Sequence, residues 1–326
     1  MVASLEVTFC GLWFTEKICR DYTHSFRVEE ILYRKKSKYQ LIEVVKHTVF
    51  GKILFLDGKP QVSEYDEWIY HECLVHPVLL LHPRPESVLI LGGGDGGALR
   101  EVLKHESVRK VVLVDLDPDV IETIRKYIPE IPKGAFEDKR VGIRFMDGRE
   151  YVRKTNEQFD VIIVDVTDPF SGISASLFTK EFYMECKQKL KSPGILVTQA
   201  ESPQFSHLYF PINYATIVKT LESVFKYVSP FLTFVPSFAS DWGFVMASEE
   251  LNPKLLQTKE VKEKLSLIET RFIDKDYLDK LLILPKNIKE LISKEGKVIT
   301  DEDYEECVEK LRKTAEELSK AWFLIS

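Results

Sequence analysis

The apolar positions of this chain change period partway along it. Early on they form short strand-like runs, Tyr39-Gln40-Leu41-Ile42-Glu43-Val44-Val45 and Gly51-Lys52-Ile53-Leu54-Phe55-Leu56, with an Asp57-Gly58 turn signal after the second. Tyr65 to Leu81 reads as a helix that stops at the punctuation His82-Pro83-Arg84-Pro85, the first boundary. Beyond it, Ser87-Val88-Leu89-Ile90-Leu91 is continuously apolar, as a parallel strand buried on both faces should be. The glycine-rich stretch Gly92 to Gly97, with Asp95 within it, and a helix from Ala98 to His105 follow. Lys110 to Val114, Val141 to Phe145, Phe159 to Val164 and Ile195 to Thr198 are further strands, and Pro118 opens a helix at its first position. This alternation predicts a doubly wound, Rossmann-like α/β domain.

Three regions follow: a β-rich N-terminal domain over 1–82, the Rossmann-like domain over 83–250, and a helical extension over 251–326. In the extension, Thr300-Asp301-Glu302-Asp303 resembles a capping box with Asp in the Glu position. Tyr304, Val308, Leu311, Ala315, Leu318 and Trp322 then recur at helical spacing.

Composition narrows the function classes. The 326 residues suffice for a large core, and no apolar run approaches a bilayer span. Glu6, Glu16 and Lys17 interrupt any signal-peptide core, so a cytoplasmic location is expected. A net charge of −6 argues against nucleic acid and for a cationic ligand. The cysteines show no metal spacing; Cys73 and Cys186 read as core thiols, and a Cys10–Cys19 disulfide stays open.

The chemistry concentrates at strand ends. Gly92-x-Gly94-x-x-Gly97, with Asp115 further on, fits the dinucleotide fingerprint. Asp95 argues against that reading, because a carboxylate among backbone N–H groups would repel a pyrophosphate. A ligand with positive charge, such as a sulfonium nucleoside bearing an amine, suits the loop better. Asp115, Asp147 and Asp165 also fall at or beyond strand ends, and Asp168 follows closely. So many acids on one edge favour a cationic ligand.

In these motifs the chain resembles the spermidine synthase family of polyamine aminopropyltransferases, from about Trp13 to about Ala247. Tyr39-Gln40, Leu56-Asp57-Gly58 with Gln61, Asp66-Glu67 and Tyr70-His71-Glu72 are similar to its N-terminal signature. Gly92 to Gly97 with Leu99-Arg100-Glu101, then Asp147-Gly148, then Asp160 to Asp165 with Asp168-Pro169, match its later motifs in order. The resemblance implies transfer of an aminopropyl group from decarboxylated S-adenosylmethionine to a polyamine acceptor, putrescine or a longer amine such as spermidine. Methylthioadenosine leaves. The donor is a co-substrate, and neither cofactor nor metal is implied.

It also implies roles. Gln40, His71, Gly92, Gly94, Asp95, Asp115, Asp147 and Gly148 would hold the donor, with Asp115 standing where the family more often has Glu. Tyr70 and Asp165 would act on the attacking amine. Asp168, Gln199, Glu201, Phe238, Asp241 and Trp242 would bind the acceptor. A homodimer or homotetramer is expected. Two departures stand out: the loop from Asp168 to Ala175 is longer than the family's and lacks its second proline, and Phe238-Ala239-Ser240-Asp241 replaces the common Tyr-Pro-Ser-Gly. The second moves a carboxylate toward the acceptor pocket and suggests an amine longer than putrescine. Rival readings are an S-adenosylmethionine methyltransferase, whose donor carboxylate Asp95 and Asp168 would oppose, a non-catalytic nucleoside binder, and an NAD-dependent oxidoreductase.

Overall fold

A computed structural model describes residues 11–19, 22–167, 174–204, 212–304, 306 and 309. The N-terminal part is wholly β. Strands β1 (Leu12–Cys19) and β2 (Tyr22–Val28) form a hairpin. Strands β3 (Glu30–Lys36), β4 (Leu41–His47), β5 (Gly51–Leu56) and β6 (Lys59–Ser63) form an antiparallel sheet in sequence order. Asp57 and Gly58 both sit at positive φ, 49° and 77°, as a two-residue hairpin turn between β5 and β6 requires. Alternate residues of β4 and β5 enter different cores. Ile42, Val44 and Leu54 join the core beneath the larger domain, whereas Val45, Ile53 and Phe55 pack with Phe26 of the hairpin. Cys10 lies outside the described residues, and with it the disulfide left open above.

Helix α1 (Glu67–Leu81) follows, and its buried positions extend all round it. It packs against α2 (Gly97–Leu103) and against the seven-stranded sheet, which is ordered β12-β13-β11-β10-β7-β8-β9. The strands are β7 (Ser87–Gly92), β8 (Lys110–Asp115), β9 (Val141–Phe145), β10 (Phe159–Asp165), β11 (Leu190–Gln199), β12 (Tyr227–Val235) and β13 (Ser240–Ser248). β7 to β11 run parallel, and β13 pairs antiparallel with both β11 and β12. Helices α3 (Pro118–Tyr127), α4 (Gly148–Lys154), α5 (Lys180–Gln188) and α6 (Tyr214–Glu222) connect the strands. Strand order reverses between β7 and β10, so their carboxyl ends form the switch point where ligands of such sheets bind.

The C-terminal part adds α7 (Lys259–Leu265), α8 (Lys275–Lys280) and α9 (Lys286–Glu295). The expected capping box is formed. Asp303 accepts from the backbone N–H and hydroxyl of Thr300 at 3.1 and 2.7 Å, and the Asp303 N–H donates back to that hydroxyl at 3.3 Å. The helix it starts is described only in part; Val308, Leu311, Ala315, Leu318 and Trp322 lie outside the described residues. Cys73 and Cys186 are buried free thiols. Among the described residues no helix is long and apolar enough to cross a membrane.

Candidate active site

Register brings the site together. Asp165, the last residue of β10, pairs with Gly92, the last residue of β7. Gly92 has φ 81°, and a Cβ there would lie 2.0 Å from the Asp165 carbonyl oxygen, so only glycine lets the loop leave the strand this close to its neighbour. Gly97 meets a different limit. A Cβ there would lie 2.1 Å from the ring of His71, so the loop and α1 touch through bare backbone.

Most of the strand-end acids are occupied with their own backbone. One oxygen of Asp95 accepts the Gly97 N–H at 2.7 Å. Asp115 accepts the Asp117 N–H at 2.9 Å, and Asp147 caps α4 by accepting from Glu150 at 2.8 Å. Each thus serves as a local cap and still lines the cavity with its remaining surface.

Asp165 is different. Its Oδ1 accepts the Tyr70 hydroxyl at 2.6 Å, and its buried Oδ2 has no hydrogen-bond partner among the described residues. Burial first, then the charge of Asp95, push its pKa up to about 6, against the opposing effect of His71 and Tyr70. Burial also pushes Asp115 up to about 6. Asp95 goes the other way: His71 beside it outweighs burial and holds it below the usual carboxylate range.

These groups face a cavity of about 420 Å³. Its lining includes Gln40, Tyr70, Gly92, Gly94, Gly148 and Trp242, and acids outnumber lysines along it, which suits a cationic ligand. The Gln40 amide donates to Asp117 at 3.1 Å, and Asp117 also accepts from the Ser37 hydroxyl at 2.6 Å, so this edge of the pocket is tied to the N-terminal sheet.

Several expected residues take other places. His71 is buried behind Asp95 and Gly97 and is not part of the cavity wall. Gln199 does line the cavity, although its amide is engaged with the backbone, donating to Val166 and accepting from Glu201, both at 3.0 Å. Glu201 lines the cavity from a left-handed backbone, φ 67°, a conformation that costs a non-glycine residue about 1–3 kcal/mol. Phe238 stands at the wall, its ring 6.2 Å from Tyr70 and 4.7 Å from Trp242. Asp241 is a correction. Side chains alternate along β13, so Ser240 and Trp242 face the cavity while Asp241 faces away and accepts from Gln204 at 2.7 Å. Asp168, and residues 169–173 of the lengthened loop that follows it, lie outside the described residues.

Sequence reasoning missed Asp117, Glu16 and His24, all at the cavity. Asp117 carries a readable signal, since it stands just before Pro118 and caps α3. Glu16 and His24 come from the first hairpin, where they are cross-strand partners, and no motif marks them.

Comparison with known proteins fits this geometry. A family model described as spermine/spermidine synthase domain matches residues 67–259, and one described as spermidine synthase tetramerisation domain matches residues 12–64. A polyamine aminopropyltransferase of Saccharolobus solfataricus is 46% identical over 286 residues, 86% of this chain and 93% of that protein. One of Sulfurisphaera tokodaii is 42% identical over 284 residues, with 86% and 93% covered. A crystal structure of spermidine synthase in complex with the transition-state analogue AdoDATO superposes with TM-score 0.80 at 34% identity, covering 86% of this chain and 95% of that one. The spermidine synthase of Thermotoga maritima gives 0.77 at 33%, covering 86% and 94%. With its switch-point acids, its N-terminal sheet and its relatives in agreement, this chain belongs to the spermine/spermidine synthase family.

Proposed function

We propose that this protein is a polyamine aminopropyltransferase. It moves the aminopropyl group of decarboxylated S-adenosylmethionine to an amine acceptor and releases methylthioadenosine. The amine nitrogen attacks the CH₂ next to the sulfonium, a C–N bond forms, and the C–S bond breaks with its electron pair going to sulfur. An aliphatic amine has a pKa near ~10.4 and arrives protonated. It must lose a proton to attack.

The observation that carries the proposal is Asp165: one oxygen fixed by Tyr70, the other without a hydrogen-bond partner among the described residues, at the glycine loop of an acid-lined cavity. Asp165 takes the proton, and the Tyr70 hydroxyl holds the carboxylate in line. Help of this kind is worth roughly 10²–10⁴ in rate, and the cavity contributes by aligning the two substrates. Asp115 holds the ribose, Asp147 the adenine end and Asp95 the aminopropyl ammonium. Gln40, Gly92, Gly94 and Gly148 complete the donor side, with Glu201, Phe238 and Trp242 on the acceptor side. The donor is a co-substrate, and the reaction as written needs no cofactor. The same proposal gives a homotetramer, in keeping with the tetramerisation-domain match over 12–64, working in the cytoplasm.

Methylthioadenosine release from the decarboxylated donor, run over putrescine, spermidine and other amines, tests the reading directly. Turnover with at least one amine is expected. The decarboxylated donor should bind at least ~100-fold more tightly than S-adenosylmethionine, about 2.7 kcal/mol, because the full donor brings a carboxylate to Asp95. Comparable affinities, or transfer of methyl, would replace the proposal with the methyltransferase reading.

A further inference from the structure

We infer that Glu67 and Arg100 are positioning residues that act on the transfer reaction through His71, fixing its imidazolium against Asp95. The inference rests on the aminopropyl-transfer reading above.

Glu67 opens α1 one turn before His71, and its Oε2 lies 2.7 Å from His71 Nδ1. Arg100, in the helix that the glycine loop opens, grips Glu67 with both terminal nitrogens, each at 2.8 Å from a different carboxylate oxygen. Its Nε donates to Glu101 at 2.8 Å, and a terminal nitrogen also donates to the Ile131 carbonyl. On the far side of the ring, His71 Nε2 lies 3.2 Å from Asp95 Oδ1, an ion pair whose alignment is too poor for a hydrogen bond. The result is a buried row of alternating charge, Arg100, Glu67, His71, Asp95, that ends at the cavity wall.

Among the described residues, the charged and titratable groups around His71 come from four elements. From α1 come Glu67 and the Tyr70 ring, edge-on at 5.2 Å; from the loop come Asp95 and the backbone of Gly97. Arg100 stands behind Glu67 on α2, and Asp165 on β10 is near enough for its charge to be felt. Burial alone would drive His71 neutral, but Asp95 and Glu67 outweigh it and raise its pKa to about 10.

A cation at this point has work to do. Asp95, Asp115 and Asp165 share one edge, and close carboxylates cannot all stay ionised without compensation. His71 keeps Asp95 charged, with both local contacts on its Oδ1. The upward shift then falls on Asp165 and Asp115, so the row separates a fixed anion from a proton acceptor poised near neutrality. A simple tie between α1 and α2 would have the same bonds but no such consequence.

The test is Glu67→Gln, which keeps the hydrogen-bonding shape and removes the charge. Losing one opposite charge in contact should lower the His71 pKa by about 1–3 units, to within reach of pH 9. The ratio of variant to wild-type kcat/KM cancels the titration of the amine itself. That ratio is expected to fall about tenfold between pH 7 and pH 9, as a single proton with a new pKa near ~8 is lost. Glu67→Asp, which restores the charge, should leave the ratio flat. In parallel, nitrogen-15 NMR of the wild-type His71 ring should show it protonated at pH 8. A pH-independent ratio for active Glu67→Gln overturns the inference, and so does a neutral wild-type His71, even if the variant does not fold. Absence of wild-type turnover with every amine would overturn the transfer reading instead, and the NMR result would still decide the state of His71.

Discussion

Strand β10 carries an aspartate near each end, and the two could hardly be treated more differently. Asp160, at the amino end, is surrounded by donors: the backbone N–H groups of Glu86 and Ser87 at 2.9 and 2.7 Å, the Ser87 hydroxyl at 2.9 Å and the Lys191 ammonium at 3.1 Å. Burial works against its charge, yet these donors prevail and hold its pKa below the usual carboxylate range. Asp165, at the carboxyl end, has Tyr70 and an oxygen with no partner among the described residues, and its pKa is raised. Residue type and strand are shared; the desolvation, the neighbouring charges and the supply of donors are not. A well-supplied acid is a structural anion. An acid kept short of donors stores the unfavourable charge that proton transfer can use.

Substitutions can break this comparison or sharpen it. The largest effect is expected for Asp165→Asn, which should lower turnover by at least ~10²-fold while donor affinity stays close to wild type; methylthioadenosine release and calorimetry check both parts. Tyr70→Phe comes next. It removes the donor that lowers the Asp165 pKa, so turnover should fall by roughly tenfold or more, the loss of a charge-assisted hydrogen bond worth ~1.5–3 kcal/mol. The acid side of its pH–rate profile should move to higher pH.

Asp160→Asn should do the reverse of Asp165→Asn. Losing charge-assisted hydrogen bonds is expected to cost about 1.5–3 kcal/mol of stability at pH 7, read by urea denaturation, with unchanged turnover per folded molecule. Because the folded pKa of Asp160 is depressed, the loss should be complete above the unfolded value near ~3.9. It should shrink as pH falls through the folded pKa. The smallest effect concerns Asp241. Directed at Gln204 and away from the cavity, it should leave the KM for putrescine and for spermidine unchanged when replaced by Ala.

What the sequence could reveal follows from where each signal resides. β5 and β9 are read to the residue because apolar runs between turn residues define them locally. The Thr300–Asp303 box is equally local. β12 hides for the opposite reason: Ser229, Pro230 and Thr233 interrupt its pattern, tolerable only because it is an edge strand held by one neighbour. Within the site, the glycine loop, Asp165 and Tyr70 are legible as motifs. The side on which Asp241 falls is not, since it depends on the parity of the β12–β13 hairpin, where one residue more or less exchanges the faces. Glu16 and His24 reach the cavity through the placement of a whole hairpin, which no short motif encodes. Glu67 and Arg100 fall within motifs similar to the family's, yet their partnership is a contact between two helices.

The central claim is that Asp165 carries a charge the fold does not want, and stability against pH measures this most directly. A raised carboxyl pKa means that wild type loses stability as pH rises from the unfolded value near ~3.9 through the folded value of about 6. Asparagine at this position has no charge to lose or gain. Urea denaturation of wild type and Asp165→Asn between pH 4 and pH 8 should therefore show little difference at the acid end. The variant's advantage should grow toward pH 6 and then level at up to roughly 3 kcal/mol, about two pKa units. A variant less stable than wild type at pH 7, or a difference that ignores pH, would contradict the account.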